Sequence, residues 1–258
     1  MMSRIALIRK PSPLLDDGIV DNIEKVPVDV AAANQQWDAY VKVLQEAGWH
    51  TVEVEPADDC PDSVFVEDTV VMYKNVAVIT RPGADARKPE TAGTKAVVKA
   101  LGCSINEIQA PGTLDGGDVL KIGDTIYVGR GGRTNAAGIN QLRKILSPLG
   151  ARVVAIPVSK VLHLKSAVTA LPDGTIIGYE PYVDDVRKFP SFVPVPEAEG
   201  AAVLCLSETK LLISASAPQT AELLRDFGYE VIETPLSEFE KLEGCPTCLS
   251  VRIRCLAE

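Results

Sequence analysis

The sequence contains a repeated unit in which an amphipathic helix ends at a glycine and is followed by a strand. The four copies are GWHTVEVEP from Gly48, a fainter GCSINEIQAP from Gly102, GARVVAIPV from Gly150 and GYEVIETPL from Gly228. Before each glycine, apolar residues recur at three- and four-residue spacing, which is typical of a helix with one buried face. The chain is therefore predicted to contain several copies of one small α/β unit.

Each of these helices follows a predicted hairpin, with turns at 74–75, 123–124, 172–174 and 207–209. A shorter unit covers 183–196, and the N-terminal SRIALIRK is predicted to pair with the C-terminal CLSVRIRC. Repeats of roughly 40–55 residues occur in propellers and solenoids, and pairing of the terminal strands favours a closed ring. The sequence therefore predicts a five-bladed α/β propeller formed by residues 1–258 as a single domain. The alternative is a two-layer α/β sandwich.

Charge and hydropathy restrict the partners. The 258-residue chain has a net charge of -9, which argues against nucleic acid or anionic lipid and favours a cationic small molecule. No apolar stretch approaches the length of a membrane span, and the first ten residues do not have the pattern of a signal peptide. We therefore expect a cytoplasmic protein that binds neither membranes nor nucleic acid.

A ring would bring distant segments together. Residues 62–68, 115–118, 163 and 248 each lie at or just before the first strand of a hairpin, so one end of a propeller would gather them, whereas a sandwich would scatter them. Acidic residues among strand-forming apolar ones need a cation, because burial of an unpaired carboxylate costs several kcal/mol. The expected cation is the substrate.

Cys248, where a strand is predicted to begin, is a candidate nucleophile, and His163, between two predicted strands, is a candidate acid and base. Each could instead be an ordinary buried residue. Cys245 and Cys248 also have the spacing of a redox dithiol or half of a zinc site, but a second ligand pair is missing from the sequence. The six cysteines are scattered, which does not favour a disulfide framework.

The motifs DSVFVEDTVV, ITRPGADARK, TLDGGDVLKIGDTIYVG, GRTNAAG, LHLKSAVTALPDG and TCLSV occur in this order over nearly the whole chain. In this order and at these spacings they resemble the dimethylarginine dimethylaminohydrolases, a family of guanidine-modifying enzymes. The resemblance implies a propeller of ββαβ units with pseudo-five-fold symmetry. It also implies hydrolysis of Nω-methylated arginines to citrulline and a methylamine, without a metal or other cofactor.

The resemblance further implies a set of site residues. The catalytic ones are Cys248 as nucleophile, His163 as acid and base, Asp115 as the group that orients His163, and Asp68 as a carboxylate that grips the guanidinium. The substrate-binding ones are Ile19 in a lid at 11–21, Asp62 at the α-amino group, Phe65, Glu67 and Asp68 near the reacting group, Arg87 and Arg133 at the α-carboxylate, and the carbonyl of Leu242. Asp118 could be structural. If the chain assembles with itself, we expect a homodimer.

Three other functions stay open. Arginine deiminases and amidinotransferases share the cysteine, histidine and carboxylate set, but they typically have an aspartate two residues after the histidine, where this chain has Lys165. A catalytically silent propeller that binds arginine-like ligands is a second alternative. A redox protein using Cys245 and Cys248 is a third.

Overall fold

A computed structural model describes residues 4–254. In this range fifteen strands form five three-stranded sheets, and six α-helices accompany them. The first sheet contains β1 (Ile5–Ile8), β2 (His50–Glu53) and β15 (Val251–Ile253). The second contains β3 (Val70–Tyr73), β4 (Val76–Ile79) and β5 (Ser104–Glu107), and the third contains β6 (Val119–Ile122), β7 (Thr125–Arg130) and β8 (Arg152–Pro157). The fourth contains β9 (Val168–Ala170), β10 (Ile176–Gly178) and β11 (Phe192–Pro194), and the fifth contains β12 (Leu204–Cys205), β13 (Lys210–Ser214) and β14 (Glu230–Thr234). The helices are α1 (Val30–Glu46), α2 (Thr91–Ala100), α3 (Ala136–Leu146), α4 (Leu164–Ala167), α5 (Pro218–Asp226) and α6 (Ser237–Glu240).

All five sheets share one topology. The middle strand pairs antiparallel with the first strand of the unit and parallel with the last, as β4 does with β3 and β5. In the sheet that joins the termini, Ile5 pairs with Ile253 of β15 and with His50 of β2. The predicted five-bladed propeller and its closure by terminal strands are confirmed, and the two-layer sandwich is wrong. Ser3 and Cys255, which belonged to that predicted pairing, lie outside the described residues.

Parallel pairing needs a crossover, and α1, α2, α3 and α5 supply it in four of the units. The glycines predicted to end these helices all have a positive φ between 81° and 94°; they are Gly48, Gly102, Gly150 and Gly228. A residue with a β-carbon is strained in that conformation, so glycine ends the helix there. None of the helices in residues 4–254 has the length and apolar character needed to cross a membrane.

The first strand of each hairpin lies innermost. Residues from all five of these strands, β3, β6, β9, β12 and β15, line one cavity on the propeller axis. The apolar side chains of the outer helices, such as Val98, Leu142 and Leu224, are fully buried against the sheets. The segments that lead into the inner strands consequently meet at one end of the axis, and the hairpin turns that follow them lie at the other end.

Candidate active site

Four short turns meet at the end of the propeller where the inner strands begin. Asp68 lies in the helical turn Val66–Thr69 before β3, and Asp115 directly precedes the turn Gly116–Asp118 before β6. His163 caps α4, which leads into β9, and Cys248 lies in a turn three residues before the start of β15. Both residues therefore lie just before the first strand of a hairpin, as the sequence predicted, although Leu249 and Ser250 separate Cys248 from the strand that it was expected to begin. This position lets the side chain face the end of the axis instead of the sheet.

His163 and Asp115 are in direct contact. The Nε2 atom of His163 lies 3.1 Å from Oδ2 of Asp115, and both side chains are buried. The other oxygen of Asp115 accepts a hydrogen bond of 2.8 Å from the backbone N–H of Gly83, and its own backbone N–H donates to the Thr134 hydroxyl. A carboxylate fixed in this way holds the imidazole in one orientation.

Asp68 is held from two sides. Its Oδ2 accepts a 2.7 Å hydrogen bond from Nη1 of Arg87, and its Oδ1 accepts one of 2.8 Å from the backbone N–H of Gly117. Its Oδ1 also lies 3.9 Å from Nδ1 of His163. Burial opposes ionisation, but the charges of His163 and Arg87 outweigh it and hold the pKa of Asp68 well below its usual range. Asp68 is therefore a carboxylate at neutral pH.

The two glycines of the LDGGD motif are required by close contacts. A β-carbon on Gly116 would lie 2.0 Å from the carbonyl oxygen of Glu67. A β-carbon on Gly117 would lie 2.6 Å from the His163 ring and 2.8 Å from Asp68. Glycine therefore lets the Asp115 turn approach both the Asp68 turn and the imidazole.

His163 is surrounded by carboxylates. Burial opposes its protonation, but Asp68, the hydrogen bond to Asp115 and the charge of Asp118 outweigh burial and raise the pKa of His163 to about 9. Asp118 accepts a hydrogen bond from the backbone N–H of Leu164, the residue after His163, and burial raises the pKa of Asp118 to about 6. The structure thus shows Asp118 anchoring the first turn of α4.

Cys248 is buried beside a second thiol. Its Sγ lies 3.1 Å from Sγ of Cys245, which also contacts the Thr247 hydroxyl. The contact with Cys245 and burial raise the pKa of Cys248 well above its ordinary value, and the carboxylates of Glu67 and Asp68 add to this effect. Cys248 is therefore a thiol, not a thiolate, in this arrangement.

Most donors of Arg87 are bonded to other groups of the protein. Its Nε and Nη2 donate to Glu90, Nη2 also faces the carbonyls of Asp62 and Phe65, and Nη1 donates to Asp68. At most one N–H of Nη1 is left for another acceptor, so this geometry does not provide the bidentate grip expected of Arg87. It makes Arg87 the buried cation that holds Asp68.

Arg133 lines the site and has one nitrogen, Nη1, that makes no hydrogen bond. Its Nη1 is buried without a hydrogen-bond partner and lies 3.8 Å from Oδ2 of Asp115. Its Nε and Nη2 donate to Asp21, at 3.2 and 2.7 Å. Asp21 belongs to the predicted lid, so a lid carboxylate sits where the sequence placed the α-carboxylate of the substrate.

The lid is tied to the rest of the site by two further contacts. The backbone N–H of Ile19 lies 3.2 Å from both carboxylate oxygens of Asp62, and the backbone N–H of Asp21 donates to Glu243 at 2.7 Å. Burial raises the pKa of Asp62, although Arg87 and the Ile19 N–H oppose the shift. The lid residues 19 and 21 are therefore in contact with the groups predicted to hold the amino-acid end of the substrate.

One small cavity is shared by most of the predicted residues. It measures about 10 Å³, and its walls include nine of the predicted residues: Ile19, Asp62, Phe65, Asp68, Arg87, Arg133, His163, Leu242 and Cys248. Phe65 packs edge-on against the ring of Phe239. A space of this size holds about one water molecule, so the site is closed to an arginine in this structure, with Ile19 of the predicted lid in its wall.

Glu67 lines the axial cavity and not the small cavity of the candidate active site. Its Oε1 accepts hydrogen bonds from Lys165 at 2.5 Å and from Arg252 at 3.1 Å, and its side chain lines the axial cavity behind the site. It is therefore turned away from the cavity that Asp68 lines, and a contact with the substrate nitrogens does not fit this geometry. Lys165 replaces the aspartate of the deiminase pattern and is the partner of Glu67.

Asp68, Asp115 and His163 offer ligand atoms that lie within 4.8 Å of one another, and all three are buried. A metal would have to displace the Arg87 N–H from Asp68 and the imidazole from Asp115, because both carboxylates already have these partners. The donor set fits a planar cation that donates hydrogen bonds at least as well. That no metal is required stays a prediction.

Sequence reasoning missed three partners of the site: Thr134, Glu90 and Asp21. Thr134 lies next to the predicted Arg133, and Glu90 lies three residues after Arg87, so their positions gave a weak signal. Nothing in the sequence pairs Asp21 with Arg133, which lie 112 residues apart.

Comparison with known proteins gives three concordant results. The sequence model of the arginine deiminase family matches residues 46–199. The chain is 65% identical over 254 residues, 98% of each chain, to an N(G),N(G)-dimethylarginine dimethylaminohydrolase of Streptomyces coelicolor. It is 34% identical to the protein of the same name from Pseudomonas aeruginosa, over 97% of this chain and 100% of that one. The structure of a mutant of the Pseudomonas aeruginosa enzyme complexed with citrulline matches with a TM-score of 0.91 at 32% identity, covering 98% of this chain and 100% of the other.

Proposed function

Because the chain belongs to the dimethylarginine dimethylaminohydrolase family, we propose that it hydrolyses Nω-methylated arginines, asymmetric dimethylarginine and monomethylarginine, to L-citrulline and dimethylamine or methylamine. The observation that carries the proposal is the shared cavity, which Asp68, His163 and Cys248 all line. A buried carboxylate beside a thiol and an imidazole suits a guanidinium, which is planar, cationic and rich in N–H donors.

Cys248 is proposed as the nucleophile. Its sulfur attacks the guanidinium carbon, the bond from that carbon to the methylated nitrogen breaks, and the amine leaves with a proton. The product of this step is a thiouronium covalently attached to Cys248. Water then adds to the same carbon and the sulfur leaves, which yields citrulline and the free enzyme. Covalent capture divides one difficult displacement into two easier ones.

The charge on the substrate controls the thiol. Glu67 and Asp68 help to raise the pKa of Cys248, so an anionic sulfur is disfavoured while these charges are uncompensated. A guanidinium bound against Asp68 adds a positive charge beside the sulfur and lowers that pKa again. The thiolate is thus formed when the substrate binds, and its proton is released to the solvent, because His163 is already protonated.

His163 is proposed as the proton donor and then as the base. With its pKa raised to about 9, it is protonated at neutral pH and can give a proton to the leaving amine. After that transfer it is neutral, which is the state needed to take a proton from the attacking water. Asp115 holds the ring in place through both steps.

The amino-acid end of the substrate is proposed to bind at the lid. We propose that Nη1 of Arg133, which is buried without a hydrogen-bond partner, receives the α-carboxylate, and that Asp62 and the Leu242 carbonyl receive the α-amino group; all three residues line the same cavity. For this to occur, the substrate carboxylate must replace Asp21 on Arg133. The wall of the site includes Ile19 and Phe65, which would contact the aliphatic part of the substrate.

Arginine is the competing substrate, because the matching family model is that of arginine deiminase. The test is to incubate the purified protein with asymmetric dimethylarginine and, separately, with arginine, and to measure citrulline together with the amine released. We expect citrulline and dimethylamine in equal amounts from the first substrate and far less citrulline from arginine. Citrulline and ammonia from arginine at the higher rate would identify a deiminase, and no citrulline from either would leave a silent binding protein.

A cytoplasmic location agrees with the cysteines, since the five cysteines at described positions are all free thiols and such thiols persist in a reducing compartment. Cell fractionation with an antibody against the chain tests the compartment. The homodimer stays a prediction, which sedimentation of the purified protein can measure.

A further inference from the structure

The propeller has a second cavity on its axis, separate from the candidate active site. It measures about 130 Å³ and is lined by all five inner strands, with Glu67 and Gly116 in its wall on the side of the active site. At the other end it adjoins a wider space of about 420 Å³ lined by the hairpin turns, including Gly123, Pro172 and Ser207. The axial cavity is therefore reached from the face opposite the active site.

The charges in this cavity are unbalanced. Among residues 4–254, four cationic side chains line it, Lys121, Lys165, Arg252 and Arg254, together with the carboxylate of Glu67. Lys165 and Arg252 both bond to Glu67. With Arg254 left aside, Lys121, Lys165 and Arg252 exceed Glu67 by about two positive charges when the lysines are protonated, although the whole chain has a net charge of -9. An excess of this sign inside a narrow cavity attracts anions.

Lys121 differs from Lys165 and Arg252, which both bond to the Glu67 carboxylate. Its Nζ donates to the backbone carbonyl of Met72 at 2.8 Å, a neutral acceptor. Desolvation and the charges of Lys165, Arg252 and Arg254 lower the pKa of Lys121 to about 7, and Glu67 opposes the shift. Lys121 lies where the axial cavity meets the wider space and is exposed there, so water reaches it and moderates the desolvation. A second anionic partner would relieve this repulsion.

We infer that the axial cavity binds a small oxyanion, such as sulfate, phosphate or a carboxylate, between Lys121 of β6 and the cationic side chains of Arg252 and Lys165. The cavity is large enough for such an ion with some of its water. Guanidinium and ammonium groups are the side chains that bind oxyanions most strongly. Arg254, which donates to the carbonyl of Cys205 and packs over the Trp49 ring, stands at the entrance from the wider space.

Binding and protonation are then linked. An anion in the cavity favours protonated Lys121, so it must raise the pKa of Lys121, and loss of that proton must weaken the anion in return. Affinity is therefore highest below the pKa of Lys121 and falls as the pH rises through about 7. Sulfate is the appropriate probe, because its charge does not change over this range.

The experiment titrates the wild-type protein with sodium sulfate against sodium chloride at constant ionic strength, at pH 6 and pH 8, with binding measured by calorimetry. We expect one sulfate site at pH 6 that is several-fold weaker at pH 8. Lys121→Met should weaken it by roughly tenfold or more, since it removes a charge-assisted hydrogen bond while keeping an unbranched side chain. Lys144→Met, which alters an exposed lysine of α3, is the matched control and should bind as the wild type does.

A second measurement does not depend on any variant. The side-chain resonances of Lys121 in the wild-type protein, labelled on lysine, should show a pKa that rises when sulfate replaces chloride. An identical Lys121 pKa in both salts, or equal sulfate affinity in the wild type and Lys121→Met, overturns the inference. No substrate is present in either experiment, so the outcome is independent of the proposed reaction.

Discussion

The contact between Asp115 and His163 supports one prediction that can be worked out in detail. In Asp115→Asn the carboxylate that lies 3.1 Å from Nε2 of the imidazole becomes a neutral amide. The amide keeps an oxygen for the N–H of Gly83, so the turn should persist. What changes is the charge beside His163.

The expected effect is a lower pKa of His163. An opposite charge in contact shifts a pKa by roughly one to three pH units, and Asp68 and Asp118 remain in the variant to support part of the elevation. We therefore expect the pKa of His163 to fall by about one unit or more. In the proposed reaction, activity declines once His163 is deprotonated, so the alkaline limb of the rate profile should move to lower pH by the same amount.

Stability should respond with a defined sign. Folding raises the pKa of His163 from 6.5 to about 9, so this group stabilises the fold fully below about pH 6.5, and the stabilisation is lost as the pH rises through about 9. At about 1.4 kcal/mol for each unit, the wild type loses roughly 3 kcal/mol from this group over that interval. Asp115→Asn should lose at least about 1 kcal/mol less over the same interval.

The chain offers an unusually simple assay, because it contains only two histidines. The imidazole resonances of His163 can be followed by NMR from pH 5 to 10, with the exposed His50 at the start of β2 as an internal reference. Urea unfolding at pH 6 and pH 9.5 measures the stability difference. Asp173→Asn, which alters an exposed carboxylate in a hairpin turn, is the matched control and should leave His163 unchanged. An unchanged His163 pKa in Asp115→Asn would refute this account of the site's electrostatics.

Four further predictions concern the remaining site residues. Cys248→Ser should reduce kcat by roughly three orders of magnitude or more while the fold and substrate binding are retained, because an alcohol is far less ionised than a thiol. Retained turnover in this variant would exclude the covalent mechanism. Cys245→Ser should keep most of the activity in a steady-state assay, whereas a loss as large as that of Cys248→Ser would favour the redox-dithiol interpretation. Arg133→Ala should raise KM roughly 10- to 100-fold with a smaller effect on kcat, since it removes charged hydrogen bonds to the substrate carboxylate. Asp21→Asn should lower KM roughly two- to fivefold by weakening the competing ion pair with Arg133, in which the carboxylate is half exposed. Zn²⁺ should inhibit by bridging the sulfur of Cys248 and the imidazole of His163, and activity should survive a chelator; activation by zinc, or loss of activity in the chelator, would contradict a metal-free reaction.

Much of the architecture could be predicted because its signals are local. Glycine at a helix end, hairpin turns and apolar periodicity are properties of a few adjacent residues, and they defined four of the five units. The short helical turns that carry Asp68, and α4 after His163, were not predicted, because three or four residues are too few to show a helical period. The prediction that Cys248 begins a strand was wrong by a few residues for the same reason.

The partners of the site residues could not be predicted in this way. Sequence placed Arg87, Arg133 and Glu67 in the site by resemblance, but it did not indicate which acceptor each side chain would choose. Arg87 bonds to Asp68 and Glu90, and Glu67 bonds to Lys165 and Arg252 in the axial cavity. Such choices depend on which charges lie within a few ångströms once the ring has closed, and those distances join residues far apart in the chain.

Repeat period and strand order are properties of the chain, so they were enough to predict a ring of five similar units with the candidate nucleophile, imidazole and carboxylates at one end. The charge states of that site, and the cationic cavity behind it, could be found only once the folded arrangement was known. The pKa of His163 depends on three carboxylates from other turns, and that of Lys121 on cations from β15 and α4. The physical reason is that electrostatic energies depend on separation in space and on burial, and neither quantity is defined until the chain has folded.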